Sequence, residues 1–322
     1  MAERAARIDA FLARAGWADA SRVPLAGDAS ARSYMRLTRD GDRAILMDAP
    51  PATCGPQTAF FQIGDRLSQA GLSVPACLAR DDDLGLFLLE DLGDLVLARL
   101  IAHEPQHELS LYAAATDALV HLQRNVGIDG LPRYGPDEMA TAIRPAWQFH
   151  VGGGEPSRRW LDLEDHLRAL LHAHDAGPVA VHRDYHAENL LWLPDRVGIK
   201  RLGMLDFQDA VAGHPAYDLA SLLQDARRDL APGIEDDMIR RFVRAVGGTE
   251  DRFRAAYALQ AIQRHLRILG IFSRLAAQRG KPGYLALMPR VWRDLQRDLA
   301  HPVAAPLKPL IRDLVPPPQG AA

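Results

Sequence analysis

The sequence predicts an α+β fold in two lobes, a small antiparallel-sheet N-lobe over residues 1–91 and a larger, mainly helical C-lobe over residues 92–322. Three observations carry that expectation. Asp40-Gly41 lies between two β-like runs, a strong local signal for a hairpin. The apolar run Leu86-Phe87-Leu88-Leu89 stops abruptly in the polar and glycine connection Glu90-Asp91-Leu92-Gly93, which marks the lobe boundary. From Leu95 onward apolar residues recur at helical spacing, apart from one strand-rich island between Val179 and Phe207.

The elements follow in order. A first helix at about residues 3–15 places Ile8, Phe11, Leu12 and Ala15 on one face. Glu3 and Asp9 interrupt its arginines and no apolar signal core follows, so it reads as a packed helix and not as an address. Val23 to Ala26 leads into the turn Gly27-Asp28-Ala29-Ser30, and strands are expected at Ser33–Thr38 and Arg43–Asp48. Pro50-Pro51 ends the second strand. Phe60, Phe61, Ile63 and Leu67 then predict a helix from Pro56 to Ala70, closed by Gly71. In the C-lobe, helices are expected at about 106–125, 137–150 and 158–174. Gly152-Gly153-Gly154 follows no strand and lacks the glycine spacing of a dinucleotide fingerprint, so a flexible linker is expected there. The proline-rich tail after His301 is expected to lie on the surface or to fray.

Composition narrows the function classes. A net charge of −3 supplies no basic field for a phosphodiester backbone, so nucleic acid is not expected as a partner. Cys54 and Cys77 are too few for a disulfide framework, which fits a reducing cytoplasm. No apolar run approaches the roughly 20 residues needed to cross a bilayer, so no membrane insertion is expected. On composition the chain reads as a soluble cytoplasmic enzyme or binding protein, expected to be a monomer.

The sharpest chemical signal is Val181-His182-Arg183-Asp184-Tyr185-His186-Ala187-Glu188-Asn189-Leu190, a charged loop between two apolar strands. Phosphoryl transfer to an alcohol needs a carboxylate that orients the hydroxyl and takes its proton, beside a neutral oxygen ligand for magnesium. Asp184 suits the first role and Asn189 the second. Further on, Gly203-Met204-Leu205 leads into Asp206-Phe207-Gln208-Asp209, a second carboxylate at the end of a strand. Magnesium takes hard oxygen ligands, usually one or two carboxylates with phosphate oxygens, which makes Asp206 the second metal ligand. Singly each residue is as well explained as a turn former or cap. Together, H-x-D-x-x-x-x-N followed by a strand ending in Asp, downstream of a sheet-rich lobe, is the kinase order. No G-x-x-x-x-G-K-[ST] segment is present, which argues against a P-loop kinase.

With these motifs the chain resembles the aminoglycoside phosphotransferase family and the related choline and homoserine kinases, over nearly its whole length. Gly27-Asp28-Ala29-Ser30-x-Arg32, Met47-Asp48-Ala49-Pro50-Pro51, Leu89-Glu90-Asp91-Leu92-Gly93-Asp94 and Asp206-Phe207-Gln208-Asp209-Ala210 resemble its bacterial branch acting on the anomeric (C1) hydroxyl of N-acetylmuramate and N-acetylglucosamine in cell-wall recycling. The resemblance implies a protein-kinase-like two-lobed fold, ATP, Mg2+, and a neutral or acidic amino sugar as acceptor. It further implies that the Glu90 carbonyl and Leu92 amide meet the adenine edge and that Asp218 braces the catalytic region. The turn at Gly27 and Ser30 would cover the phosphates, with glycine permitting close backbone approach. His182 and His186 lie on a loop without the further ligand of a zinc site and are read as braces. Asp209 is the candidate acceptor contact.

The sequence departs from the family pattern at one pair. Ile45-Leu46-Met47-Asp48 carries no lysine, and residues 56–70 contain no glutamate to partner one. Joint loss is coherent, because either charge left buried alone would cost about 3–5 kcal/mol. Arg32 or Arg36 is the expected replacement for phosphate contact, guanidinium geometry suiting bidentate binding. Two other readings compete. An aminoglycoside kinase would want an acidic pocket beyond Asp209 and Asp218, whereas the helices from 234 to 299 carry many arginines. A non-catalytic nucleotide-binding module would explain the missing lysine but not the retention of Asp184, Asn189 and Asp206.

Overall fold

The structure is a computed structural model that describes residues 2–25 and 32–320. The Gly27-Asp28-Ala29-Ser30 turn therefore lies outside the described residues. The chain forms two compact units, Met1–Val96 with Leu191–Gln208, and Leu97–Leu190 with Asp209–Ala322.

The first unit is built on a five-stranded antiparallel sheet of strands β1 (Ser21–Leu25), β2 (Ser33–Arg39), β3 (Asp42–Asp48), β4 (Cys77–Asp81) and β5 (Leu86–Glu90), in spatial order β1-β2-β3-β5-β4. The β2–β3 hairpin turns at Asp40 and Gly41, both at positive φ (52° and 92°), the geometry that a two-residue hairpin loop demands. Period-two alternation gives each strand two working faces. Leu46, Leu86 and Leu88 pack with Leu37 and Ala44 against Ile8, Phe11, Leu12 and Trp17 from the helix Ala2–Arg14 and its exit. Phe87 points to the opposite face, where its ring lies 4.9 Å from that of Phe61 on the helix Thr58–Gln69. Arg4 of the first helix binds the nearly buried carboxylate of Asp48 (2.5 Å), so the Met47-Asp48 motif ties that helix to β3. The short strands Leu190–Trp192 and Leu202–Met204 pair with one another.

The second unit is helical around the 30-residue helix Glu250–Arg279, whose Leu259, Ile262, Leu266 and Leu269 are fully buried. The helices Arg158–Ala173 and Met288–Asp298 pack on it, and Trp160, Leu163, Leu167 and Leu171 share its core. Ser157 caps Arg158–Ala173 by accepting from the Trp160 amide (3.2 Å), one of the donors a helix start leaves open. A three-stranded sheet, Arg133–Tyr134, Val211–Gly213 and Val179–Val181 in that spatial order, underlies the catalytic-loop motif.

Three local expectations are corrected. The helix expected at 137–150 is a short helix, Pro136–Thr141, followed by a wide π-type turn, Ala146–Val151, after Pro145. The backbone there is pressed against Gly270, where a Cβ would lie 2.1 Å from the Pro145 carbonyl carbon. Gly152-Gly153-Gly154 is a packed wrap and not a flexible linker. A Cβ on Gly153 would lie 2.2 Å from the Trp147 ring, and the Trp147 indole N–H donates to the Gly154 carbonyl (3.0 Å). The tail is not frayed, because Leu307, Ile311 and Val315 along and beside the helix Lys308–Leu314 are buried in the core of the second unit.

Candidate active site

The catalytic-loop motif is fastened from several sides within the second unit. Asp218, fully buried on the helix Ala216–Leu223, accepts from the amides of His182 (2.6 Å) and Arg183 (2.9 Å). Arg183 adopts φ 78°, a region that a non-glycine residue occupies only when its surroundings impose it. The two bonds to Asp218 supply that constraint at the residue preceding Asp184. Tyr185, buried, donates its hydroxyl to the Ala115 carbonyl (2.8 Å), and the Ala187 carbonyl accepts from Ala98 N–H (3.1 Å). Asp184 is half-buried, between a buried His182–Tyr185 edge-to-face pair and the Asn189 turn.

Asn189 donates its side-chain amide to the Asp184 carbonyl (2.9 Å) and lies 3.3 Å from the His186 ring nitrogen. Both contacts involve the nitrogen, so the amide is oriented with its oxygen left to accept, as a hard cation requires. Burial drives the His186 pKa down to about 3, so the ring is neutral. His182 and His186 thus lie inside the loop as uncharged packing and orienting groups. Burial pushes the Asp218 carboxyl up to about 7, against the two amide donors that pull it down.

The first unit carries the other half of the motif. Asp206 sits at φ 60°, a left-handed conformation that aspartate tolerates better than most residues, and its carboxylate is exposed. Gln208 donates to it (2.8 Å). The following Phe207 is fully buried and stacks on Phe60 (5.0 Å between centroids), with Gly64 leaving the space its ring fills. Arg32 hydrogen-bonds the Tyr34 hydroxyl, and the Asp206 charge acts on that same hydroxyl, so the start of β2 and Asp206 share one electrostatic neighbourhood. Burial is the largest influence on Tyr34 and raises its pKa.

Arg36 is already paired within the first unit. Its guanidinium pairs with Asp91 (2.7 Å), whose side chain is almost entirely buried, and with Asp94 (2.7 Å). It therefore fixes the connection after β5, with its charge shared between two carboxylates. In that connection Glu90 pairs with Arg196 (2.5 Å), and the Leu92 side chain lies against Gly203. Asp209 is exposed, with no hydrogen bond or ion pair among the described residues. Gly27 and Ser30 lie outside the described residues. Asp184, Asn189, His182, His186 and Asp218 are thus gathered in the second unit, and Arg32, Asp206, Glu90 and Leu92 in the first. Among the described residues no group of three or more His, Cys, Asp or Glu side chains could hold a metal ion by itself.

Sequence reasoning missed one set of residues around Asp184. Gln260, Gln263, Arg264 and Arg267, at i, i+3, i+4 and i+7 on the helix Glu250–Arg279, form a polar stripe in which the first three are buried. Gln263 donates to the Tyr134 hydroxyl (3.1 Å) and Arg267 lies beside Tyr217. The Tyr134 and Tyr217 rings meet edge to face (5.6 Å), and the Arg183 guanidinium lies over Tyr134 (5.3 Å). Asp184 is among the charges acting on both Arg264 and Arg267. The spacing was legible, but a charged stripe on a long helix reads as a solvated face until its packing is known.

Comparison with known proteins agrees with this arrangement. The family model described as "Phosphotransferase enzyme family" matches residues 21–257. The N-acetylmuramate/N-acetylglucosamine kinase of Caulobacter vibrioides is 39% identical, over 95% of both chains, and that of Pseudomonas aeruginosa is 35% identical, over 95% of this chain and 92% of its own. Among solved structures, a choline/ethanolamine kinase family protein from Mesorhizobium loti superposes with a TM-score of 0.65 at 16% identity, over 96% of this chain and 99% of its own. An aminoglycoside phosphotransferase from Streptomyces rimosus, solved with ADP and streptomycin, gives 0.55 at 20% identity, over 81% and 98%. The antiparallel-sheet unit and the helical unit are therefore those of the choline and aminoglycoside kinase fold. No helix among the described residues is long and apolar enough to cross a membrane. With its family model spanning both halves of the motif and relatives aligned almost end to end, the chain belongs to the phosphotransferase enzyme family.

Proposed function

We propose that the protein transfers the γ-phosphate of ATP to the C1 hydroxyl of N-acetylmuramate and N-acetylglucosamine, as a monomer in the cytoplasm, in the recycling of cell-wall sugars. The observation that carries this reading is 39% identity to a kinase of that name, over 95% of each chain. The loop fastened by Asp218 supports it by fixing the backbone on the N-terminal side of the one carboxylate suited to the acceptor hydroxyl.

In this reading Asp184 accepts the hydroxyl proton as the sugar oxygen bonds to the γ-phosphorus, and the bond to the β–γ bridging oxygen breaks to release ADP. Asn189 and Asp206, assigned by their order in the motif, would hold magnesium, which would neutralise charge on the phosphate oxygens. The residue types fit, a neutral amide oxygen held by its own nitrogen's contacts and an exposed carboxylate. Gly27, Ser30 and Arg32 are assigned to the phosphates, the Glu90 and Leu92 backbone to adenine, and Asp209 to the acceptor. The lobes that perform these tasks are residues 1–91 and 92–322.

The test is to incubate the protein with ATP, magnesium and, separately, N-acetylmuramate, N-acetylglucosamine, streptomycin, choline and homoserine, and to identify products by mass spectrometry. An acid-labile sugar phosphate from the two N-acetyl sugars is the expected product. Phosphorylation of choline or streptomycin alone would overturn the assignment.

A further inference from the structure

The arginines of the helical unit fall into two groups. Around an open cavity of about 530 Å³ lined by Arg228, Arg254, Arg293 and Arg297, every guanidinium has a carboxylate partner. Arg228 pairs with Glu108, Arg254 with Asp236 and Glu250, Arg293 with Asp229, and Arg297 with Glu235. That cavity is self-compensated in charge and does not include Asp184 in its lining.

Arg264 and Arg267 differ. Among the described residues neither has a carboxylate within ion-pair distance. Arg264 is the one buried arginine among the described residues, and it donates to the Gln224 carbonyl (3.1 Å). Arg267, one turn on, is half-buried and lies beside Tyr217 and Tyr134. A guanidinium has five N–H donors, so most of this capacity is not spent on protein acceptors among the described residues. Asp225 and Asp184 act on Arg264, but from beyond ion-pair distance, and a buried charge without a direct counter-ion is costly. Burial pulls Arg264 below its ordinary pKa, whereas at Arg267 the lowering by burial is outweighed by Tyr217, Tyr134 and Asp184. Arg267 is thus a charged fork beside Tyr217 and within the field of Asp184.

The two sugars in the name of the relatives differ in one feature that such a fork can read. N-acetylmuramate is N-acetylglucosamine with a lactyl ether on O3, and that ether ends in a carboxylate. Resting on the proposed function, we infer that Arg267, with the more deeply buried Arg264, binds the carboxylate of an acidic acceptor and sets the preference for N-acetylmuramate over N-acetylglucosamine. Planar bidentate recognition of a carboxylate is the geometry for which arginine, unlike lysine, is suited. The Tyr134–Tyr217 pair would keep the fork in place.

The test compares kcat/KM for both sugars in the wild type, Arg267→Gln and Arg267→Lys, with the KM for ATP measured alongside. The ratio of N-acetylmuramate to N-acetylglucosamine efficiency is expected to fall by about 10–100-fold in Arg267→Gln, with Arg267→Lys between it and the wild type. A purely structural arginine would lower both efficiencies together and leave the ratio unchanged, which would overturn the inference. An equal loss on both sugars with a raised KM for ATP would assign the anion to the nucleotide phosphates and overturn it as well. If the wild type phosphorylates neither sugar, the proposed function itself fails and takes this inference with it.

Discussion

Asp218 offers the most informative perturbation of the catalytic region. Asp218→Ala removes the acceptor for the buried amide of His182 and the partly buried amide of Arg183, at 2.6 and 2.9 Å. Each unsatisfied buried donor costs about 1–3 kcal/mol. Relief of the burial penalty on the carboxyl offsets part of this, leaving a net loss of about 2–4 kcal/mol. For a helical unit of this size that corresponds to a fall in Tm of about 4–16 °C. Arg183 would also be released from its φ of 78°, and Asp184 would follow it. Misplacement of a reacting group by about 1 Å can cost about 10²-fold in rate, so kcat should fall while the KM for ATP holds.

The pH dependence adds an independent signature. The Asp218 carboxyl is raised by burial from 3.8 to about 7, so between those values the folded state keeps a proton that the unfolded state has lost. Raising the pH through that window therefore removes stability, by at most about 1.4 kcal/mol per pH unit. Asp218→Asn abolishes this slope. Thermal melts of the wild type and both variants from pH 4.5 to 8, with steady-state kinetics at neutral pH, would test the account. A variant with unchanged Tm, unchanged kcat and the same pH slope as the wild type would refute it.

Three further outcomes follow from the packing. Gly270→Ala would place a Cβ 2.1 Å from the Pro145 carbonyl carbon, a backbone clash that should cost about 3 kcal/mol, read as a lower urea midpoint; a wild-type midpoint would contradict the packing described. Glu164→Gln weakens a fully buried carboxylate's two bonds from Arg144 (2.9 and 3.0 Å), and because Arg144 is partly exposed the expected loss is about 1–2 kcal/mol by thermal melt, with no loss meaning the pair contributes nothing. Arg36→Ala strands the buried Asp91 carboxylate and should lower stability by about 2–4 kcal/mol; a stable variant with a raised KM for ATP would instead restore Arg36 as a phosphate ligand.

What the sequence made legible was what short-range physics decides. The Asp40-Gly41 hairpin is set by two residues that accept positive φ, and the Thr58–Gln69 helix by the spacing of Phe60, Phe61, Ile63 and Leu67. The catalytic loop was legible because Asp184 and Asn189 stand at a fixed spacing on a segment whose ends are apolar. What remained hidden depends on partners distant in the chain. Gly153 and Gly270 look like freedom in sequence and are close contacts in space, against Trp147 and Pro145. Proline content suggested a loose tail, yet Leu307, Ile311 and Val315 keep helical spacing and fill the core. Arg36 and Arg32 were equivalent in sequence, and only the positions of Asp91 and Asp94 separate them.

The account depends most directly on Asp184 being the group that receives the acceptor's proton. The deciding measurement is the turnover of Asp184→Ala with ATP, magnesium and N-acetylmuramate, alongside its nucleotide affinity by calorimetry. The expected result is a fall in kcat of about 10²–10⁴, with ATP binding retained within a few-fold. Turnover near that of the wild type would contradict the account.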